Sequence, residues 1–164
     1  MNLTRMIWRG FLSARMSAQV VAQVENHHNF AWIETHFGER MVVHRKGATP
    51  AGRDAMGIIP GSMATPAYVV TGKGEPESLS SASHGAGRRM SRKAALARYS
   101  VQDARRFLKG RGVTILSAGL DELPMAYKNI DEVMAAQKDL VRIIATFHPR
   151  LVKMAPSGKK VLTF

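Results

Sequence analysis

The stretch FAWIETHFGERMVVH (residues 30–44) decides the local fold, because bulky apolar residues alternate with polar ones on both sides of Gly38. Alternation with a period of two is typical of half-buried β-strands. A glycine between two such runs favours a tight turn. The stretch therefore predicts a β-hairpin.

The segment that follows, residues 46–87, is rich in Gly, Pro, Ser and Ala and contains eight of the 14 glycines of the chain. Its apolar runs are short and lie at Ile58-Ile59 and Tyr68-Val69-Val70. This composition indicates loops carried on short strands.

Beyond the glycine-rich segment, the spacing of apolar residues becomes helical after residue 90. Asn129 or Asp131 can cap a later helix whose apolar face carries Met134, and His148-Pro149 would end it. We expect a helix over 90–108, a strand over 113–116, a helix over 131–146 and a last strand over 151–154. The fold class is therefore mixed α+β, with short strands, Gly-rich loops and flanking helices.

The N-terminal residues 1–24 carry an apolar stripe at helical period, and they hold Arg5, Arg9 and Arg15 with no acidic residue before Glu25. This pattern predicts an amphipathic helix that packs on the core, or alternatively a mitochondrial transit peptide. No apolar run approaches the ~18 residues of a membrane span, so no membrane partner is expected. Residues 25–154 would form the folded region, and 155–164 a loose tail.

Composition sets limits on the function. The 164 residues fit one domain, and a net charge of +12 favours polyanionic partners such as nucleic acid or nucleotides. The absence of cysteine excludes a disulfide scaffold, a thiolate zinc site and a cysteine nucleophile. A reducing, cytoplasmic compartment is the expected location.

The densest group of functional side chains is SSASHGAGRRMSR (residues 80–92). It sets one imidazole, His84, among hydroxyls, two glycines and three arginines just ahead of a helix, where backbone donors favour anions. His84 could act as a general acid or base, or as a nucleophile that accepts a phosphoryl or nucleotidyl group. It could equally be a hydrogen-bonding residue in a loop that contacts RNA.

Three weaker candidates precede it. His27 and His28 could ligate a metal or be ordinary loop histidines. Arg45 and Lys46 offer charge suited to phosphate, or only a solvated strand. The turn at residues 60–63 could cradle a phosphate with its backbone N–H groups and the Ser62 hydroxyl, or serve only as a turn.

Five short motifs, in order and spacing from about Glu25 to Lys153, resemble those of the RtcB-type RNA ligases. These enzymes join RNA 3′-phosphate or 2′,3′-cyclic phosphate ends to 5′-hydroxyl ends. The motifs are Asn26-His27-His28-Asn29, residues 44–48, residues 57–63, residues 83–92 without Arg89, and Ala126-Tyr127-Lys128-Asn129. The resemblance implies the C-terminal part of the RtcB-like fold.

The resemblance further implies a manganese-dependent enzyme that uses GTP and acts in tRNA splicing or RNA repair. A histidine becomes guanylylated, passes GMP to the RNA 3′-phosphate, and the 5′-hydroxyl then displaces it. His84 matches that histidine, and His28 matches one manganese ligand. Residues matching the GMP contacts are Pro60, Gly61, Ser62, Met63, Ala67, His84, Gly85, Ala86, Gly87, Tyr127 and Lys153, while Arg45, Arg88 and Arg92 would contact RNA phosphates.

Several departures from the family pattern bear on activity. The other manganese ligands of the family, an Asp, a Cys and two His, belong to an N-terminal half that this sequence lacks. Ala67 replaces a frequent Ser, Ala64 replaces a Gly, and Met154 follows Lys153 in place of Gly. We expect either a ligase completed by a separate N-terminal chain, a non-catalytic nucleotide- and RNA-binding module, or an unstable remnant. In each case the chain alone should show little or no ligation.

Overall fold

The computed structural model describes residues 19, 23–27, 29–154 and 161–162. The predicted N-terminal helix over 1–24 lies almost entirely outside the described residues. Gln23 and Val24, at its expected end, are in neither helix nor strand. None of the helices in the described ranges is long and apolar enough to cross a membrane.

The predicted hairpin is confirmed. Strands β1 (Asn29–His36) and β2 (Glu39–Lys46) pair antiparallel as a two-stranded sheet, with Ile33 opposite Val42. Phe37 and Gly38 form the turn with positive φ. One face, with Trp32 and Val43, points inward, and the face with Ile33 and Val42 points to solvent.

The glycine-rich region forms short strands, as predicted. They are β3 (Ala48–Pro50), β4 (Met56–Pro60), β5 (Ala67–Gly72) and β6 (Ser81–Ser83). Strand β3 pairs with β6, and β4 pairs with β5, both antiparallel. A 3-10 turn, Pro76–Ser78, connects β5 with β6.

The prediction of one helix over 90–108 is wrong, because two helices occupy this range. They are α1 (Arg92–Arg98) and α2 (Val101–Leu108). Tyr99 between them is extended, and Ser100 caps α2 in a capping box with Asp103. A Ser with an acidic residue three positions later is a start signal for a new helix, and it breaks the continuous pattern here.

The prediction of a helix over 131–146 is also wrong beyond its first two turns. Helix α3 spans Ile130–Ala136, with Asn129 as its cap and Met134 buried as expected. The chain then forms β8 (Val141–Phe147), which pairs antiparallel with β5 to complete the sheet β4-β5-β8. Four of its seven residues are β-branched, and these favour strand over helix when a partner strand is available.

A fourth sheet has three strands. Strand β7 (Thr114–Gly119) pairs parallel with β9 (Leu151–Lys153) and antiparallel with β10 (Val161–Leu162). The expectation of a loose tail over 155–164 is therefore wrong for 161–162. The 3-10 turns Leu120–Glu122 and Pro124–Ala126 carry the chain from β7 towards α3.

The buried apolar residues form two clusters, and the mixed α+β class is confirmed. We call the first the helical core: Met63, Ala104, Leu108, Ile115, Ala118, Leu120, Leu123 and Val152. We call the second the sheet core: Ala51, Ile59, Val70, Ala82, Ala86, Ile130, Met134 and Val141. The segments that run between these two cores carry most of the residues singled out by the sequence.

Candidate functional site

A cavity of about 750 Å³ lies between the two cores. Met63 and Val152 of the helical core and Ala86 of the sheet core all line it. Its volume is within the ~300–1,000 Å³ typical of small-ligand sites. The sequence-predicted residues that line it are Pro60, Gly61, Ser62, Met63, Ala67, His84, Gly85, Ala86, Gly87, Arg88, Arg92, Tyr127 and Lys153.

The segment that carries His84 is fixed to two neighbouring strands. The His84 N–H donates to the carbonyl of Gly47 at 3.1 Å, and the Ala86 N–H donates to that of Pro60 at 2.9 Å. A Cβ on Gly85 would come to 3.0 Å from the Pro60 carbonyl oxygen, so glycine permits this close approach. The imidazole is thereby held at the cavity wall, with Nε2 buried.

The turn after β4 is organised differently from the phosphate cradle that we considered. The Ser62 N–H donates to Thr65 Oγ1 at 2.6 Å, the Ser62 hydroxyl lies 2.9 Å from the same oxygen, and the Gly61 N–H donates to the Pro66 carbonyl at 3.0 Å. These donors are satisfied within the turn. The turn therefore gives shape to one wall of the cavity, and Thr65, which the sequence analysis missed, sets that shape.

Tyr127 is held by a polar network at another wall. Its hydroxyl donates to Glu122 Oε2, and Arg88 Nη1 lies 3.2 Å from the hydroxyl and 3.3 Å from Glu122 Oε1. The Arg88 guanidinium carbon is 5.1 Å from the centre of the Tyr127 ring. Burial, together with the Glu122 carboxylate, raises the pKa of Tyr127 to about 12, so the phenol stays protonated near neutral pH.

Arg88 and Arg92 differ in how accessible their guanidinium groups are to a ligand. Arg88 also donates to the carbonyls of Asp121 and Met90, and its side chain is mostly covered. Arg92 lies 3.3 Å from Glu122 and 3.5 Å from the buried Asp121, but 71% of its side chain is exposed. Arg92 therefore remains open to a polyanion, while Arg88 mainly positions Tyr127.

Glu122 lines the cavity and was missed by the sequence analysis. A signal was present: Asp121-Glu122 is an acidic pair in a strongly basic chain, five residues ahead of Tyr127. Its significance depends on the 3-10 turns that bring Glu122 back to Tyr127, and these turns are not apparent from spacing alone.

The interpretation of Arg45 as an RNA contact needs correction. Its side chain is 2% exposed, and its guanidinium donates to both carboxylate oxygens of Glu34, at 2.6 and 2.8 Å, and to Ser81 Oγ at 2.8 Å. The hydrogen bonds from Arg45 lower the pKa of Glu34 to about 2. Arg45 therefore joins the hairpin to β6 as a structural residue and offers no donor to RNA.

The metal prediction rests on His28, which lies outside the described residues. Its neighbour Asn26 donates from Nδ2 to the Ile58 carbonyl at 2.6 Å, so the motif is anchored beside β4. His27 packs 5.0 Å from the ring of Phe30. Within the described ranges, no three side chains among His, Asp and Glu come together as metal ligands. The described donors thus do not fit a manganese centre by themselves.

Lys153 and Ala67, which the resemblance matches to GMP contacts, both line the cavity. Ala67 begins β5, and Lys153 ends β9, whose parallel pairing with β7 aligns Lys153 with Ser117. Gly47 and Ser83 of the motifs also line the cavity. It is further lined by residues that no motif indicated, namely Thr65, Glu122, Phe147, Pro149, Leu151, Val152 and Met154. Phe147 and Leu151 add apolar surface suited to a flat ring.

Comparison with known proteins places this geometry in a family. The model of the family described as tRNA-splicing ligase RtcB matches residues 1–154. The chain is 48% identical over 124 residues to the RNA-splicing ligase RtcB of Escherichia coli K12, an alignment that covers 76% of this chain and 30% of that protein. It is 37% identical to the tRNA-splicing ligase RtcB of Nanoarchaeum equitans, covering 74% and 31% of the two chains.

The tRNA-splicing ligase RtcB of Thermococcus kodakarensis is 35% identical over 159 residues, with 82% of this chain and 33% of that protein covered. The chain thus spans a third or less of the length of these relatives. Because the family model matches residues 1–154, which is most of the sequence, the chain belongs to the RtcB family.

Proposed function

We propose that this chain carries the nucleotide-binding and nucleophile part of a GTP- and manganese-dependent RNA ligase. The observation that carries the proposal is that thirteen residues chosen from the sequence, His84 among them, line one cavity. The names of the relatives, RNA-splicing and tRNA-splicing ligase, support RNA as the substrate.

In the proposed reaction, a ring nitrogen of His84 attacks the α-phosphorus of GTP. An N–P bond forms, pyrophosphate leaves, and the imidazole gives up its proton. An oxygen of the RNA 3′-phosphate then attacks that phosphorus, which breaks the N–P bond and activates the RNA end. Finally the 5′-hydroxyl oxygen attacks the RNA phosphorus, loses its proton, and GMP leaves. A 2′,3′-cyclic phosphate must first be opened by water to a 3′-phosphate.

The chain's own residues have distinct parts in this scheme. Tyr127, kept protonated by burial and by Glu122, offers an aromatic face to guanine, and Lys153 offers a cation from the same cavity. Arg92 also lines the cavity, and because 71% of its side chain is exposed it suits a phosphate oxygen. Fixed donors of this kind stabilise charge that develops during phosphoryl transfer.

Manganese would require ligands beyond the described part of this chain, so no step above is assigned to it. We propose that a second polypeptide, corresponding to the remaining length of the relatives, supplies those ligands. Two exposed apolar surfaces suit such a partner. One is the outer hairpin face with Ile33, Phe37 and Val42, and the other is β8 with Ile143, Ile144 and Phe147.

A labelling experiment tests the nucleotide part of the proposal. The purified chain is incubated with α-³²P-GTP and Mn²⁺ and separated under denaturing conditions. We expect acid-labile label on the wild type and none on His84→Ala, since the N–P bond requires the imidazole. His148→Ala is the control, because His148 is an exposed histidine that does not line the cavity.

The alternative is a module that binds nucleotide and RNA without catalysis. It is favoured if neither the wild type nor the control is labelled while both bind RNA. Label that persists on His84→Ala would overturn the assignment of the nucleophile. Joining of RNA ends by the purified chain alone would contradict the need for a second polypeptide.

A further inference from the structure

The strongest concentration of positive charge lies on and around helices α1 and α2. Residues 88–114 contain nine Lys or Arg and one acidic residue, so this sixth of the chain carries a net +8 of the total +12. The one acid, Asp103, is used in the capping box of α2, where its carboxylate accepts from the Ser100 N–H at 2.9 Å. That carboxylate is already counted in the net +8, so the patch remains strongly positive.

A groove of about 460 Å³ lies within this patch, separate from the cavity that holds His84. It is lined by Arg98, Tyr99, Asp103, Arg106, Phe107 and Met125. The break between the two helices creates it, because extended Tyr99 and the Ser100 cap turn α2 back beside the end of α1.

Two aromatic rings form the floor of the groove. Tyr99 and Phe107 are half-buried and pack against the helical core, which fixes their orientation. The Tyr99 hydroxyl donates to the Met125 carbonyl at 3.5 Å. A ring that is anchored on one side and open on the other is a ready platform for stacking a base.

Arginines surround these rings. The guanidinium carbon of Arg98 is 5.8 Å from the centre of the Tyr99 ring, and that of Arg111 is 4.4 Å from the centre of the Phe107 ring. Arg98 and Arg106 are exposed, and Arg106 has a weak pair with Asp103 at 3.9 Å. Aromatic faces combined with exposed cations match single-stranded nucleic acid, which presents unstacked bases and a phosphate at every step.

The groove is connected to the catalytic cavity by two short paths. Helix α1 starts at Arg92, which lines the cavity, and ends at Arg98, which lines the groove. Six helical steps at ~1.5 Å make this distance about 9 Å along the axis. That corresponds to roughly three nucleotides of a stacked strand at ~3.4 Å each. Met125 of the groove is likewise two residues from Tyr127 of the cavity.

We propose that the groove between Arg98, Tyr99, Arg106 and Phe107 is a second RNA site, which stacks a base of the single strand roughly three nucleotides from the end held at Arg92. The inference rests on RNA being the ligand in the proposed function, but it requires neither GTP nor His84. It assigns a strand-holding role to residues outside the cavity. It also gives the chain a preference for unpaired RNA near the reacting end, because a base in a duplex cannot reach the ring.

Affinity and its salt dependence test the proposal in complementary ways. The full chain is titrated with a fluorescent single-stranded RNA that ends in a 3′-phosphate, at several salt concentrations. Tyr99→Leu keeps apolar bulk but removes the ring, so we expect roughly five- to hundredfold weaker binding with an unchanged salt slope. Tyr99→Phe keeps the ring and should restore affinity.

The arginine variants should show the reverse pattern. Arg98→Gln and Arg106→Gln should each lower the slope of log K against log salt by about one, because each removes one phosphate contact. Arg53→Gln is the control, since Arg53 is exposed but lies on the loop between β3 and β4, away from the groove. A blunt duplex RNA should bind equally well to wild type and Tyr99→Leu.

The outcomes separate this inference from the proposed function. The proposed RNA site would be overturned if Tyr99→Leu bound single-stranded RNA with an affinity within twofold of wild type. It would also be overturned if Tyr99→Leu weakened binding of duplex RNA as much as binding of single-stranded RNA. If an acidic peptide bound the groove while RNA binding did not depend on the groove residues, the patch would be assigned to a protein partner instead. Loss of GTP labelling in wild type would count against the proposed function alone, since Tyr99 and Arg98 are not part of that step.

Discussion

The Tyr127 hydroxyl donates its hydrogen bond to Glu122, and this pair is completed by Arg88, which contacts both residues. A carboxylate that accepts from a phenol stabilises the protonated form of the phenol. Glu122 therefore fixes both the orientation of Tyr127 and its protonation state. The same carboxylate also lies 3.3 Å from Arg92, so one residue links the aromatic wall of the cavity to its exposed cation.

Glu122→Gln should lower the pKa of Tyr127 from about 12 towards its ordinary value of 10, since the charge of Glu122 and its acceptor role both raise that pKa. Burial, the largest cause, remains, so the pKa should stay above 10. The ultraviolet absorbance of tyrosinate, titrated in wild type, Glu122→Gln and Tyr127→Phe, measures the change. An unchanged high-pH tyrosine titration in Glu122→Gln would show that the carboxylate does not control Tyr127.

The same pKa sets a pH dependence of stability. The folded protein keeps a proton on Tyr127 that the unfolded chain loses near pH 10, so the unfolded state binds fewer protons above that pH. The stabilisation is therefore present below pH 10 and falls as pH rises towards 12. The free energy of unfolding in urea should therefore fall between pH 9 and pH 11, and this fall should be smaller in Tyr127→Phe than in wild type. Equal differences would refute the linkage.

Substitutions of Arg45 and of Arg92 should have different effects, the first mainly on stability and the second mainly on RNA binding. Arg45→Ala should cost about 2–3 kcal/mol of unfolding free energy, because it leaves the Glu34 carboxylate partly buried without its bidentate partner. Arg92→Gln should cost less, but should lower the salt slope of RNA binding by about one. A lowered salt slope in folded Arg45→Ala would restore Arg45 as an RNA contact.

Glu34 gives this prediction a pH test. Its pKa is about 2 in the folded protein and near 4.5 unfolded, so the stabilisation is present above pH 4.5 and is lost as pH falls towards 2. Urea midpoints between pH 5 and pH 3 should fall more steeply in wild type than in Glu34→Gln. Parallel curves would mean that the ion pair does not contribute to acid sensitivity.

Gly61→Ala should damage the cavity wall. A Cβ at this position would overlap Thr65 Oγ1 and the Pro66 carbonyl, so the turn after β4 must move. We expect a loss of about 1–3 kcal/mol in stability and reduced GTP labelling of His84. Gly52→Ala is the matched control, because a Cβ there meets nothing within 4 Å. Equal behaviour of the two variants would show that the turn does not shape the site.

The parts of the fold that local sequence controls could be predicted. Alternation around Gly38 gave the hairpin, and Asn129 capped α3 because a cap depends only on its own turn. Residues 141–147 could not be assigned in this way. Their spacing also fits a helix, and only the partner strand β5, about 70 residues earlier, makes the strand favourable.

The same distinction holds for the site. His84 and Tyr127 lie in short motifs and Lys153 was indicated by the resemblance, and all three line one cavity. Arg45 was misassigned because its burial depends on Glu34 and Ser81, which approach it only through pairing of β1 with β2 and of β3 with β6. Glu122 was missed for a similar reason, since its partners Arg88 and Arg92 are about 30 residues away in sequence.

The outer hairpin face provides the last prediction. Phe37 and Val42 are 70% and 69% exposed. Replacing them with Ser and Thr therefore reduces the exposed apolar surface but removes few packing contacts. The free energy of unfolding of the double variant should therefore lie within about 0.5 kcal/mol of the wild-type value. If a second polypeptide covers this face, the variant should bind it more weakly, as measured by gel filtration of the chain mixed with a fragment that spans the uncovered length of a relative.

The exposed pair Arg53→Ser and Lys138→Ser is the control, because it removes surface charge and leaves the apolar face intact. Undiminished complex formation by the Phe37 and Val42 variant would remove the hairpin from the interface. The exposed edge at β8, with Ile143, Ile144 and Phe147, would then be the remaining surface for the partner. Phe147 also lines the cavity that holds His84, so a partner seated on β8 would cover one side of that cavity and exclude water from it.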